Sequence, residues 1–282
     1  MKKIYLFIIL LFFPTLFFGQ DKASASEIYI QVKEIIATNE LQVDLLHGHI
    51  RDYVTEIDIN DLKLYVLDPN EEIQSLPLEQ VGVQARAYVP ISIEGNYTFW
   101  AMYQPKPPYA EQEDNPPTTA ITKQIYPVGT KADFSQQSLE LPLEVIPTVS
   151  IESFTEGKFT GEVLFNETAL NDTAIMAFGP NEEVLEVTTN EKGEFEFIFD
   201  SVGIWLLKTN IEAEDTDDEI ESTFTSTFVI DTSLTQPPPE PAPNRTWIYV
   251  TIFLVGGAVG ACGVILLLKH RGKQRVEKDK QS

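Results

Sequence analysis

The arrangement best suited to chemistry in this sequence is His47-Gly48-His49. On a β-strand, residues two apart project from the same face, so both imidazoles could reach one cation. Asp44, Asp52, Glu56 and Asp58 lie close by in the chain and could complete a mixed nitrogen and oxygen site. Such a set suits a borderline divalent metal: Ni²⁺, Co²⁺, Cu²⁺ or Zn²⁺. The candidate ligands are His49, His47, Asp52 and Glu56. The same pair could equally be a partly exposed turn with no ligand, and spacing alone leaves both readings open.

Catalysis finds little support, and a non-enzymatic chain is expected. The only cysteine is Cys262, and the third histidine, His270, sits in a basic terminal run. No nucleophile-elbow or phosphate-cradling glycine pattern occurs. Many carboxylates could form a hydrolytic pair, but their abundance makes any chosen pair arbitrary. Residues 20–246 carry 12 Lys+Arg against 41 Asp+Glu, a net of −29. A surface this acidic repels nucleic acid and anionic lipid, and it concentrates cations. Solubility explains it as well as cation capture does.

The elements that must position the histidines are strands. Leu41, Val43 and Leu45 alternate with polar neighbours, as do Ile28, Ile30 and Val32, and Leu62, Leu64 and Val66. Farther along, Phe159, Gly161, Val163 and Phe165 alternate, and residues 194–199 (EFEFIF) read as a clean strand. Period two with β-branched and aromatic enrichment and frequent Pro, Gly and Asn turns indicates an all-β chain. Its halves also resemble each other: LYVLDPNEEI (64–73) matches IMAFGPNEEV (175–184), and each is followed by a glycine-led aromatic strand, at Gly95 and Gly203. Tandem immunoglobulin-like or transthyretin-like β-sandwiches would show this pattern, as would convergent turn chemistry.

The expected organisation follows. Residues 1–19 read as a signal peptide, with two lysines before an apolar run. A first sandwich spans 27–143 and includes a Pro-rich loop at 104–142; a second spans 144–232. A Pro-rich linker at 233–246 adopts polyproline geometry, at ~3.1 Å per residue. Residues 247–268 are 22 positions without a formal charge, long enough to cross a bilayer core as one C-terminal transmembrane helix. The basic tail 269–282 marks the cytoplasmic side, so the bulk of the chain is extracytoplasmic, a single-pass type I arrangement in the cell membrane. Gly256 and Gly260 form a small face on which a permease helix could dock.

One family resemblance emerges. The run Leu141–Pro147, the strand at 161–165, Thr188–Gly193, the step Gly203-Ile204-Trp205-Leu206-Leu207 and the closing strand at 222–229 resemble an exported family of unknown function. That family is associated with nickel/cobalt uptake systems as a periplasmic component. Gly48-His49 after a β-run, followed by acids and YVLDPN, resembles its amino-terminal half, and the second half resembles transthyretin-like or carboxypeptidase-regulatory-like sandwiches. The resemblance implies a membrane-anchored accessory that binds a divalent transition metal for a transporter, with His49 as the position carried over. Members often carry a histidine near the mature amino terminus, and residues 20–27 have none. The alternative is a structural or interaction module of the envelope that binds protein or glycan without metal.

Overall fold

The alternating runs form strands wherever the chain is described. The computed structural model describes residues 27–49, 53–105, 117–129, 137–214 and 221–234. All fall in the first of the chain's two units, Met1–Thr235; the second is Gln236–Ser282. The expected signal peptide, most of the Pro-rich linker, the transmembrane segment with Gly256 and Gly260, and the basic tail lie outside the described residues. No helix among the described residues is long and apolar enough to cross a membrane.

The first half contributes β1 (Glu27–Ile35), β2 (Glu40–His49), β3 (Tyr53–Thr55), β4 (Leu62–Leu67), β5 (Ile73–Leu76), β6 (Glu79–Val81), β7 (Gln84–Pro90), β8 (Gly95–Tyr103) and β9 (Thr118–Val128). The second contributes β10 (Leu143–Pro147), β11 (Gly157–Phe165), β12 (Thr168–Ala169), β13 (Ala174–Phe178), β14 (Val184–Thr188), β15 (Glu194–Phe199), β16 (Ile204–Glu214) and β17 (Glu221–Asp231). Two short 3₁₀ turns, Ile59–Asp61 and Ile151–Ser153, are the only helical pieces described.

The halves repeat strand for strand. In the first, β2 pairs with β1, β3 and β7, while β4 pairs with β5 and β8, and β8 with β9. In the second, β11 pairs with β10, β12 and β15, while β13 pairs with β14 and β16, and β16 with β17. Among the described strands only β6, hydrogen-bonded to β7, has no counterpart. The last strand of each half then meets the other in parallel, Thr118–Gln124 against Thr223–Val229. This seam fuses the inner sheets into one eight-stranded sheet of palindromic order, β14-β13-β16-β17-β9-β8-β4-β5. The two sandwiches thus share a sheet.

Parallel pairing of equivalent strands has a geometric consequence. The rotation relating the halves must run along the strands within the sheet, and a half-turn about that axis exchanges the sheet's faces. The outer sheets should therefore cover opposite faces, and side-chain alternation along β8 and β9 shows it. Tyr97, Phe99, Ala101 and Tyr103, with Ala120, Tyr126 and Val128, pack into one core with Ile28, Ile30, Leu41, Val43 and Leu45 of the first outer sheet. Trp100, Ile121 and Ile125 point the other way, into a core with Phe159, Val163, Phe195, Phe197 and Phe199 of the second. Strands at the seam bury both faces, so they lack the polar alternation of a half-exposed strand.

One expectation needs correction here. The stretch 104–142 is not a loop throughout: Thr118–Val128 form β9, a buried strand of the shared sheet. Pro127 stands one residue from the end of β9, beyond the stretch that pairs with β17, which reaches only Gln124. Proline content alone was a poor guide where a proline stands at a strand end.

The repeated turns have a shared packing reason. A Cβ at Gly95 would lie 2.6 Å from Pro69 Cβ, and one at Gly203 would lie 2.8 Å from Pro180 Cβ. Both glycines have positive φ, +145° and +148°, so each Pro-Asn turn sits directly on its partner glycine. Trp205 is fully buried and stacks on Phe199 with ring centroids 3.9 Å apart, and its indole N–H donates to the Ser201 carbonyl at 3.0 Å. Polar ties also cross the seam: Lys208 Nζ lies 2.6 Å from Glu27 Oε1, and Lys123 Nζ lies 2.7 Å from Glu144 Oε1.

Candidate functional site

His47, Gly48 and His49 end β2 where that strand changes partner. β7 pairs with Glu40–Leu45, and β3 takes over with His47 opposite Thr55 and His49 opposite Tyr53. Gly48 has φ +148°, and a Cβ there would collide with the Tyr53 carbonyl oxygen. The middle residue of this motif must therefore be glycine for the two strands to approach so closely.

His47 is half-buried, with its ring centroid 5.2 Å from that of Tyr103. Its Nδ1 is 2.8 Å from Thr55 Oγ1, and the same hydroxyl donates to the His47 carbonyl at 3.2 Å. The contact between Nδ1 and the Thr55 hydroxyl fixes the orientation of the ring. Burial lowers the His47 pKa below its ordinary value, partly opposed by a hydrogen bond to the Glu56 backbone and the charge of Glu27. The ring is consequently neutral at pH 7. Burial likewise raises the pKa of Tyr103, aided by Asp61 and Asp58.

The other expected ligands divide. Glu56 follows β3 with its side chain exposed. Asp52 lies outside the described residues, and of His49 only the backbone is described. Among the described residues no three His, Cys, Asp or Glu side chains converge as a metal cluster. Asp44 is committed elsewhere: Arg86 Nη2 donates to its Oδ2 at 3.0 Å and Nε to its Oδ1. The described part of the hairpin thus supplies one fitting donor, the His47 imidazole. Thr55 and Tyr103, which orient that imidazole, were missed by sequence reasoning. Neither carries a signal at metal-ligand spacing, and Tyr103 is brought in from β8.

Comparison with curated proteins finds no match. Among solved structures, a Ca²⁺-stabilized adhesin of an Antarctic bacterium aligns at 10% identity and TM-score 0.24, over 73% of this chain and 49% of that one. The chain thus spans about half the adhesin's length. The D0-D1 domain of intimin aligns at 8% identity and TM-score 0.21, covering 73% of this chain and 97% of that one. Fibronectin(III)-like modules of Clostridium thermocellum CbhA align at 13% identity and TM-score 0.19, covering 78% and 98%. With its residues 23–213 matching the family profile, the chain belongs to the family described as domain of unknown function DUF4198.

Proposed function

We propose that the chain is a membrane-anchored, extracytoplasmic and non-catalytic accessory whose β2–β3 hairpin captures a divalent transition metal of the nickel/cobalt class for a transporter. The observation that carries this reading is His47: a neutral imidazole, held by Thr55, at the end of a strand whose next-but-one residue is another histidine. His49, Asp52 and Glu56 would complete the site, and the metal would be cargo. The family description names no function, so the nickel/cobalt association rests on the sequence resemblance. Anchoring at 247–268 and docking on a permease through Gly256 and Gly260 belong to the same proposal.

Isothermal titration of the detergent-solubilised full chain with Ni²⁺, Co²⁺, Cu²⁺ and Zn²⁺ tests it. Binding tighter than ~100 μM, about −5.5 kcal/mol, is expected for at least one metal. It should be lost in the double variant His47→Ala/His49→Ala. Weaker binding throughout, or equal binding by that variant, would leave the interaction-module reading.

A further inference from the structure

The two repeats differ at one strand edge. In the first, β6 runs back along the outer edge of β7 and pairs with Gln84–Arg86. The counterpart of β7 is β15, which the chain reaches from β14 through residues 189–193 with no strand between. Among the described residues β15 pairs with β11 alone, so its other edge is open.

The ladder decides which main-chain groups lie on that edge. Val163 N–H donates to the Gly193 carbonyl at 2.9 Å. Phe195, Phe197 and Phe199, in step with Gly193, therefore turn their N–H and C=O groups toward β11, while Glu194, Glu196 and Ile198 turn theirs outward. The turn residue Asn190 covers Glu194: its N–H donates to the Glu194 carbonyl at 3.0 Å, and its Oδ1 accepts from Glu194 N–H at 3.1 Å. Among the described residues the main-chain groups of Glu196 and Ile198 have no such cover. Ile198 also holds its side chain 58% exposed. Free donors and acceptors beside an exposed aliphatic side chain form a template for a further strand.

Charge selects the strand. Glu194 stands directly opposite Glu162 of β11, a like-charged cross-strand pair that destabilises a sheet left to itself. Glu196 is next on the same face, and Lys158 Nζ lies 2.6 Å from its Oε2. A trough of about 650 Å³ crosses this face, with Glu162, Glu194 and Glu196 against Lys158 in its lining. A second copy of this chain would bring the same glutamates and the same acidic surface to the contact, which opposes self-pairing. A strand carrying basic side chains would instead relieve the repulsion already present.

We propose that the open edge of β15 takes a basic, extended segment of a partner protein as an added antiparallel strand. The segment pairs with the main chain of Glu196 and Ile198 and lays its basic side chains over Glu162, Glu194 and Glu196. This edge uses no residue of the β2–β3 hairpin and is independent of the metal reading.

Fluorescence anisotropy on the detergent-solubilised full chain tests it, with the labelled peptide Val-Thr-Val-Lys-Val-Lys as probe. In antiparallel register its lysines stand opposite Glu196 and Glu194, and its threonine opposite Ile198. The peptide should bind saturably at one equivalent. N-methylation of its threonine and first lysine removes the N–H groups that face β15 at unchanged charge, and should weaken binding about tenfold or more. Ile198→Pro removes a donor that points away from β11, so Tm should hold while binding weakens about threefold or more. Glu194→Lys/Glu196→Lys should lose this peptide and bind the version with glutamates in place of lysines. His47→Ala should bind the peptide as the natural chain does, so that this proposal and the metal reading fail separately. The proposal is overturned if the peptide does not bind, or if the methylated peptide binds as tightly as its parent, which would indicate diffuse attraction to an acidic surface. Unchanged binding by folded Ile198→Pro or by the charge-reversed variant would overturn it too; should Ile198→Pro unfold, the methylated peptide decides.

Discussion

Removing the Lys123 ammonium should destabilise the chain far more than removing both members of its ion pair. Lys123 and Glu144 join β9 to β10 across the seam, with side chains 5% and 1% exposed. At 2.7 Å and an effective dielectric near 20, their attraction is about 6 kcal/mol before desolvation. Burial nevertheless pulls the Lys123 pKa below its ordinary value despite Glu144, so desolvation outweighs the attraction. The pair is therefore costly to break and adds little net stability when whole. Lys123→Met leaves Glu144 buried with, among the described residues, Ser138 Oγ–H and Leu139 N–H as donors, and should cost about 3–5 kcal/mol. For a unit of this size that corresponds to a Tm drop of roughly 10 °C. Lys123→Met/Glu144→Leu should recover most of the loss, to within about 1 kcal/mol of the natural chain. Urea unfolding of the singles and the double forms the cycle. A cost below about 1 kcal/mol for Lys123→Met, or a double variant no better than the single, would refute the reasoning.

Other perturbations test the repeat and the hairpin. Gly95→Ala and Gly203→Ala should each cost about 1–3 kcal/mol through positive φ and contact with Pro69 or Pro180, read by chemical unfolding. Gly82→Ala, at φ +64° with open space around it, should cost less than either. Trp205→Ala should cost about 3–5 kcal/mol, seen as a lowered urea midpoint. His47 titrates below its ordinary 6.5 in the folded chain, so the unfolded chain takes up its proton first as pH falls. Its contribution to stability is fully present above 6.5, is lost as pH drops from 6.5 toward the lowered folded value, and then levels off. His47→Gln should flatten that part of a Tm-against-pH profile.

Local signals carried much of the fold. Alternation at Leu62, Leu64 and Val66 and at Phe195, Phe197 and Phe199 marks strands with one buried face. The two Pro-Asn turns and their later glycines mark the repeat, because each proline packs on its glycine. The seam was hidden for a physical reason. β8 and β9 bury both faces, so residues such as Trp100 and Phe99 both read as core. The parallel pairing of β9 with β17 joins residues more than 100 positions apart. Lys208 and Glu27 are separated by 181 positions, and neither reads as anything but surface charge in a chain this acidic. At the hairpin, His47-Gly48-His49 was visible from residue type. Thr55 and Tyr103 were not, since strand pairing and packing alone bring them to the ring.

The chain has three histidines, few enough for every imidazole to be assigned in a ¹⁵N-resolved NMR spectrum of the detergent-solubilised protein. Titration with diamagnetic Zn²⁺ tests the proposed metal capture most directly. The expected result is a shift of the His47 and His49 ring nitrogens, saturating together at one equivalent, with His270 unmoved. Rings of His47 and His49 that stay in place while zinc is added, or a response confined to His270, would contradict it.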